Sequence, residues 1–63
     1  MDIFQKLVQI RKEKKRGQKE LAYHLGITTT TINRYERGKR KIPYDLMCKY
    51  AEFLEMDIRI LIK

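Results

Sequence analysis

At 63 residues, with 15 Lys and Arg against 8 Asp and Glu, the chain carries a formal net charge of +7 on a length that suffices for one domain, residues 1–63, and a small core. A single cysteine, Cys48, and a single histidine, His24, exclude an internal disulfide, a multi-cysteine metal site and a set of nucleophile, base and orienting group. Neither enzyme activity nor a metal or cofactor is therefore expected. With no signal peptide and no run of eighteen apolar residues, the expectation is a soluble, cytoplasmic protein without a membrane partner.

The first helix is predicted over about residues 2–14, where Ile3, Leu7, Ile10 and Lys14 recur at spacings of four, three and four, flanked by Phe4, Val8 and Arg11. It is a scaffold element. A second helix opens near residue 18, with Leu21, Ala22 and Leu25 on one side and Gln18, Lys19, Glu20 and His24 left polar. Gly26 suits the positive-φ position that closes a helix, and Ile27 beyond it can fold back as an apolar contact. Thr28 is placed to cap a third helix, which runs to about Arg37 before Gly38 stops it. Two helices joined by so tight a turn, over about residues 18–37, form a helix-turn-helix.

At about 100° per residue, the third helix turns Thr28, Ile32, Tyr35 and Glu36 to one side. Thr30, Asn33, Arg34 and Arg37 take the other, with Thr29 at its edge. A core explains the first set. The second combines hydroxyl, carboxamide and guanidinium groups, which are the chemistries that recognise base edges and phosphates in the DNA major groove. An ordinary solvated face is the plainer reading of such residues, and the surrounding charge decides against it. Six of the 15 cations fall in residues 11–19 and five in 34–41, so residues 1–41 carry a net +8 and residues 42–63 a net −1. Cations gathered at one end describe a polyanion-binding face. They lie across turns rather than along one amphipathic stripe, which disfavours a membrane surface. Tyr23 and Tyr35 are too few for an RNA-stacking platform.

A fourth helix follows Pro43, with Tyr44, Met47, Cys48, Ala51 and Leu54 as its core stripe. Leu46, Tyr50 and Phe53 make a second apolar stripe, and Ile60 and Ile62 extend the apolar surface into the final segment. A helix apolar on two sides is either buried on both or has a partner. The expected partner is a second copy, joined through Leu46, Tyr50, Phe53, Ile60 and Ile62. The alternative is a heterologous protein, as for an antitoxin that binds both a partner and DNA.

With Ile10-Arg11, the series Gln18, Leu21, Ala22, Leu25, Gly26, Ile27, the run from Thr31 through Ile32, Asn33, Arg34, Tyr35, Glu36 and Arg37 to Gly38, and Tyr50-Ala51 with Met56-Asp57-Ile58 at matching spacing, the chain resembles the phage repressor and Cro-type helix-turn-helix proteins of the XRE family. The resemblance covers nearly the whole length. It implies an all-α, compact five-helix bundle whose second and third helices bind DNA, in a cytoplasmic protein of bacterial or phage origin. By position it assigns Thr29, Thr30, Asn33 and Arg34 to base reading, and Lys39, Arg40 and Lys41 to a loop that grips the phosphate backbone. Gln18 matches a glutamine that braces phosphate and the reading helix, and Lys19, Arg16 and Arg37 are further phosphate candidates. Arg11 and Glu36 match a structural ion pair between the first and third helices. Gly17 stands where a Ser or Thr cap is usual, Arg16 where an aliphatic residue is, and Glu55 where a glycine follows the fourth helix.

The expected function is that of a Cro-like repressor acting by operator occupancy. A two-fold dimer would demand a palindromic double-stranded operator with half-sites about 34–36 Å apart. No small-molecule effector is expected, since the length leaves no room for a separate sensor domain.

Overall fold

The structure, a computed structural model, describes residues 2–59. Four α-helices make up the regular structure there: α1 (Ile3–Glu13), α2 (Gln18–Leu25), α3 (Thr29–Glu36) and α4 (Tyr44–Phe53). The expected count of five is thereby reduced to four among the described residues. Of the segment expected to form the fifth helix, residues 57–59 are described, which is less than one helical turn; residues 60–63, including Ile60 and Ile62, lie outside the described residues.

Local signals account for the helix ends. The Asp2 carboxylate accepts a hydrogen bond from the Gln5 backbone N–H at 2.8 Å and caps α1. Gly17 precedes α2 in extended conformation with no side-chain bond to offer. Gly26 closes α2 at φ +74, and the Ile27 N–H then donates to the Ala22 carbonyl at 3.0 Å. The Thr28 hydroxyl accepts from the Thr31 N–H at 3.1 Å, offsetting the weak helix propensity of the three consecutive threonines, Thr29 to Thr31, that open α3. Gly38, at φ +75, ends that segment. Glu55 takes the left-handed conformation in the turn after α4, at φ +61, at a steric cost of about 1–2 kcal/mol for a residue with a side chain.

Leu7, Leu21, Ile32, Tyr50 and Leu54 are fully buried, and Phe4, Val8, Ala22, Leu25, Tyr35, Ala51, Phe53 and Ile58 complete the core around them. Each such aliphatic or aromatic side chain contributes about 1.5–3 kcal/mol by leaving water. α2 packs on both α3 and α4, and α1 lies across α3 and α4.

This arrangement corrects two expectations about α4. Tyr50 is 0% exposed and Phe53 9%, so neither offers surface to a second copy. Tyr50 packs edge-on against Phe4, with ring centroids 5.3 Å apart, and Phe53 lies under the Arg16 guanidinium at 4.4 Å and beside the His24 ring at 5.5 Å. Covered by both α1 and α2, α4 uses two of its sides within one chain. Leu46 is half-buried against the same core. Tyr44, expected inside, is 58% exposed.

Candidate nucleic-acid interface

Beyond the Gly26 turn α3 packs on α2 and buries Ile32 and Tyr35, with its opposite face outward. Thr29, Thr30, Arg34 and Arg37 are exposed there and Asn33 is half-buried. Together with Gln18 at the start of α2 and Lys39 beyond α3, these five line an open depression of about 460 Å³. Seven of the expected DNA-facing residues thus converge on one surface. Hydroxyls, two carboxamides and three cations stand side by side, with no carboxylate among them.

The other expected phosphate contacts are distributed around this surface. Lys19 borders a separate shallow hollow with Tyr23, His24 and Phe53. Arg40 and Lys41 border another, on the side where α1 begins. Arg16 is turned inward over the Phe53 ring, 3.8 Å from the Glu20 carboxylate, so its guanidinium covers an aromatic ring instead of joining the depression.

Behind the outward face lies a buried polar network centred on Glu36. The Arg11 guanidinium donates from Nε to Glu36 Oε2 and from Nη2 to Oε1, both at 2.8 Å, and from Nη1 to the Arg16 carbonyl at 2.7 Å. Gln18 Nε2 donates to Glu36 Oε1 at 2.8 Å, and the Tyr50 hydroxyl donates to Oε2 at 2.6 Å while accepting from Arg11 Nε at 3.2 Å. Each carboxylate oxygen therefore accepts two hydrogen bonds, which fills its acceptor sites. The side chains of Arg11 and Glu36 are 9% and 5% exposed, and no buried side-chain nitrogen or oxygen among the described residues lacks a partner. Burial opposes the charge on Arg11, yet the hydrogen bonds and charge of Glu36, with a contribution from Tyr50, raise its pKa above the usual value. Burial foremost, then the bond to Glu36 and its charge, pushes the Tyr50 phenol well up, so it stays a proton donor.

Helical periodicity alone does not place the Tyr50 hydroxyl in this network, although the sequence holds a signal for it. A phenol on a stripe that becomes buried needs a hydrogen-bond partner, and Glu36 is the carboxylate on the inner side of α3.

Among the described residues there is no group of three or more His, Cys, Asp or Glu that could hold a metal ion, and no helix is long and apolar enough to cross a membrane. A family model described as Helix-turn-helix matches residues 7–61. Comparison with curated proteins and with solved structures gives no match. A match over most of the chain coincides with a two-helix unit whose outer face is cationic and whose inner face is locked to the core, and the chain therefore belongs to the XRE-type helix-turn-helix family of regulators that bind double-stranded DNA.

Proposed function

We propose that the protein is a sequence-specific regulator that inserts α3 into the major groove, and that it acts as a Cro-like repressor by occupying a palindromic operator as a homodimer. The observation that carries this reading is the carboxylate-free depression formed by Gln18, Thr29, Thr30, Asn33, Arg34, Arg37 and Lys39. A helix about 10–12 Å across matches a major groove about 12 Å wide. Arg34 can donate two hydrogen bonds to guanine, Asn33 can pair with adenine, and Thr29 and Thr30 can offer a hydroxyl to several bases or a methyl group to thymine. Gln18, Lys19, Arg37, Lys39, Arg40 and Lys41 hold the phosphates on either side, making the first, salt-sensitive encounter.

In the proposed dimer, Leu46 meets its copy together with Ile60 and Ile62, since Tyr50 and Phe53 are taken by the core. Selection of bound duplexes from a random pool at near-physiological salt tests the proposal. A palindromic consensus with half-sites about 34–36 Å apart supports both base reading and dimeric docking. Recovery of no motif, with binding that vanishes at moderate salt, overturns base reading. Sedimentation as a monomer at high micromolar concentration, with and without the selected duplex, overturns the dimer.

A further inference from the structure

Resting on the reading of α3 as the base-reading helix, we infer that Tyr50 is a positioning residue for DNA specificity: its hydroxyl, holding Glu36 Oε2 at 2.6 Å, fixes the roll of α3 from α4. Three helices converge on that carboxylate. Arg11 brings α1 to it, Gln18 brings α2, and Tyr50 brings α4. Glu36 is the last residue of α3, two places beyond Arg34 and three beyond Asn33. A carboxylate accepting four bonds from three helices has one orientation, and with it the last turn of α3 has one rotation about its axis.

Tyr50 differs from the other two donors. α4 packs chiefly on α2 and α1, so this hydroxyl is the hydrogen bond that reaches from α4 to α3. The ring itself is held by its edge-on contact with Phe4 and is wholly buried, which leaves the oxygen little freedom. Gln18 shows why the consequence falls on recognition. Its amide donates to Glu36 Oε1 while its side chain lines the depression with Asn33 and Arg34, so movement of the carboxylate is felt directly at the reading surface. Nonspecific phosphate contacts from flexible lysines tolerate such movement, whereas bidentate base contacts do not.

The test is Tyr50→Phe, which deletes one oxygen and keeps the ring. Val8→Ala serves as the control, a core void on α1 at a residue 6% exposed that makes no hydrogen bond in the network. For Tyr50→Phe, affinity for the selected duplex should fall roughly tenfold while affinity for random duplex stays within about twofold, a loss of specificity ratio that matches one charge-assisted hydrogen bond. Val8→Ala should leave that ratio unchanged. In the DNA-free protein, the amide resonances of Asn33 and Arg34 should shift in Tyr50→Phe and not in Val8→Ala. An unchanged ratio, or one that falls equally in both variants, overturns the positioning role. Wild-type protein without preference for any duplex would instead refute base reading by α3. The amide spectra then decide alone, and unmoved α3 resonances in Tyr50→Phe overturn the inference.

Discussion

Replacing Glu36 alone with leucine should cost far more stability than removing it together with the Arg11 guanidinium and the Tyr50 hydroxyl. Glu36→Leu strands the Arg11 guanidinium, 9% exposed, with no counter-charge and only the Arg16 carbonyl and the Tyr50 hydroxyl for partners. Breaking one side of such a pair costs about 3–5 kcal/mol. A 63-residue domain has about 3–9 kcal/mol in total at the usual stability per residue. The single variant is therefore expected to be largely unfolded or to melt more than about 12 °C lower. Adding Arg11→Met removes the uncompensated charge but still leaves the buried Tyr50 hydroxyl without its acceptor, a residual cost of about 1–3 kcal/mol. The triple variant Arg11→Met, Glu36→Leu, Tyr50→Phe removes the three buried polar groups, leaves only the half-buried Gln18 amide, which can turn to solvent, and should return to within about 1 kcal/mol of wild type, because desolvation had consumed most of the network's Coulombic gain. Urea titration followed by far-ultraviolet circular dichroism measures each step. A Glu36→Leu loss below about 1 kcal/mol, or a triple variant less stable than Glu36→Leu, contradicts an uncompensated buried charge as the source of the loss. The triple variant should fold and yet discriminate poorly among duplexes, which separates what the network contributes to recognition from what it contributes to stability.

Arg34→Ala should cost about 1–3 kcal/mol on the selected duplex and relax preference at one base position, whereas Lys39→Ala should weaken all sequences alike and lower the salt slope by about one unit; identical specificity profiles would refute this division. Glu55→Gly should raise the melting temperature, since glycine relieves about 1–2 kcal/mol of strain at φ +61 against about 0.5–1 kcal/mol of extra unfolded-state entropy, and a lower melting temperature contradicts it. The Tyr50 phenol binds its proton more tightly folded than unfolded, so its contribution is fully present below the ordinary tyrosine pKa and is lost as pH rises beyond it. The stability difference between wild type and Tyr50→Phe should accordingly shrink by about 1.4 kcal/mol per pH unit above about pH 10. Urea titrations at pH 9, 10 and 11 check this, and a constant difference rules it out.

The helix-turn-helix is legible in the sequence because its boundaries are set by groups within a few residues of one another. Gly26 closes α2, the Thr28 hydroxyl caps α3 by bonding three residues on, and Gly38 turns the chain away beyond it, each a local event that needs no knowledge of the rest of the molecule. The outward set of Thr29, Thr30, Asn33, Arg34 and Arg37 comes from helical periodicity once Ile32 and Tyr35 point inward. α4 is less legible for the converse reason. Periodicity shows that Tyr50 and Phe53 must leave water, but not whether the covering surface belongs to the same chain, and in a domain this small the choice turns on where α1 and α2 happen to lie.

Arg16 and Tyr50 escape sequence reasoning for a related reason, since each is defined by a partner distant in sequence. Arg16 covers the ring of Phe53, and Tyr50 completes the acceptor set of Glu36 across a separation of 14 residues. A basic residue and a phenol carry both apolar and polar surface, so the family resemblance makes the one a phosphate candidate and helical periodicity puts the other on an apolar stripe. Neither reading identifies the contact through which each side chain joins α4 to the remainder of the domain. The same ambiguity makes Tyr50 useful where it stands: phenylalanine would fill the volume beside Phe4, but only a side chain with an apolar body and a polar tip can seal the core and hold the Glu36 carboxylate from a single position on α4.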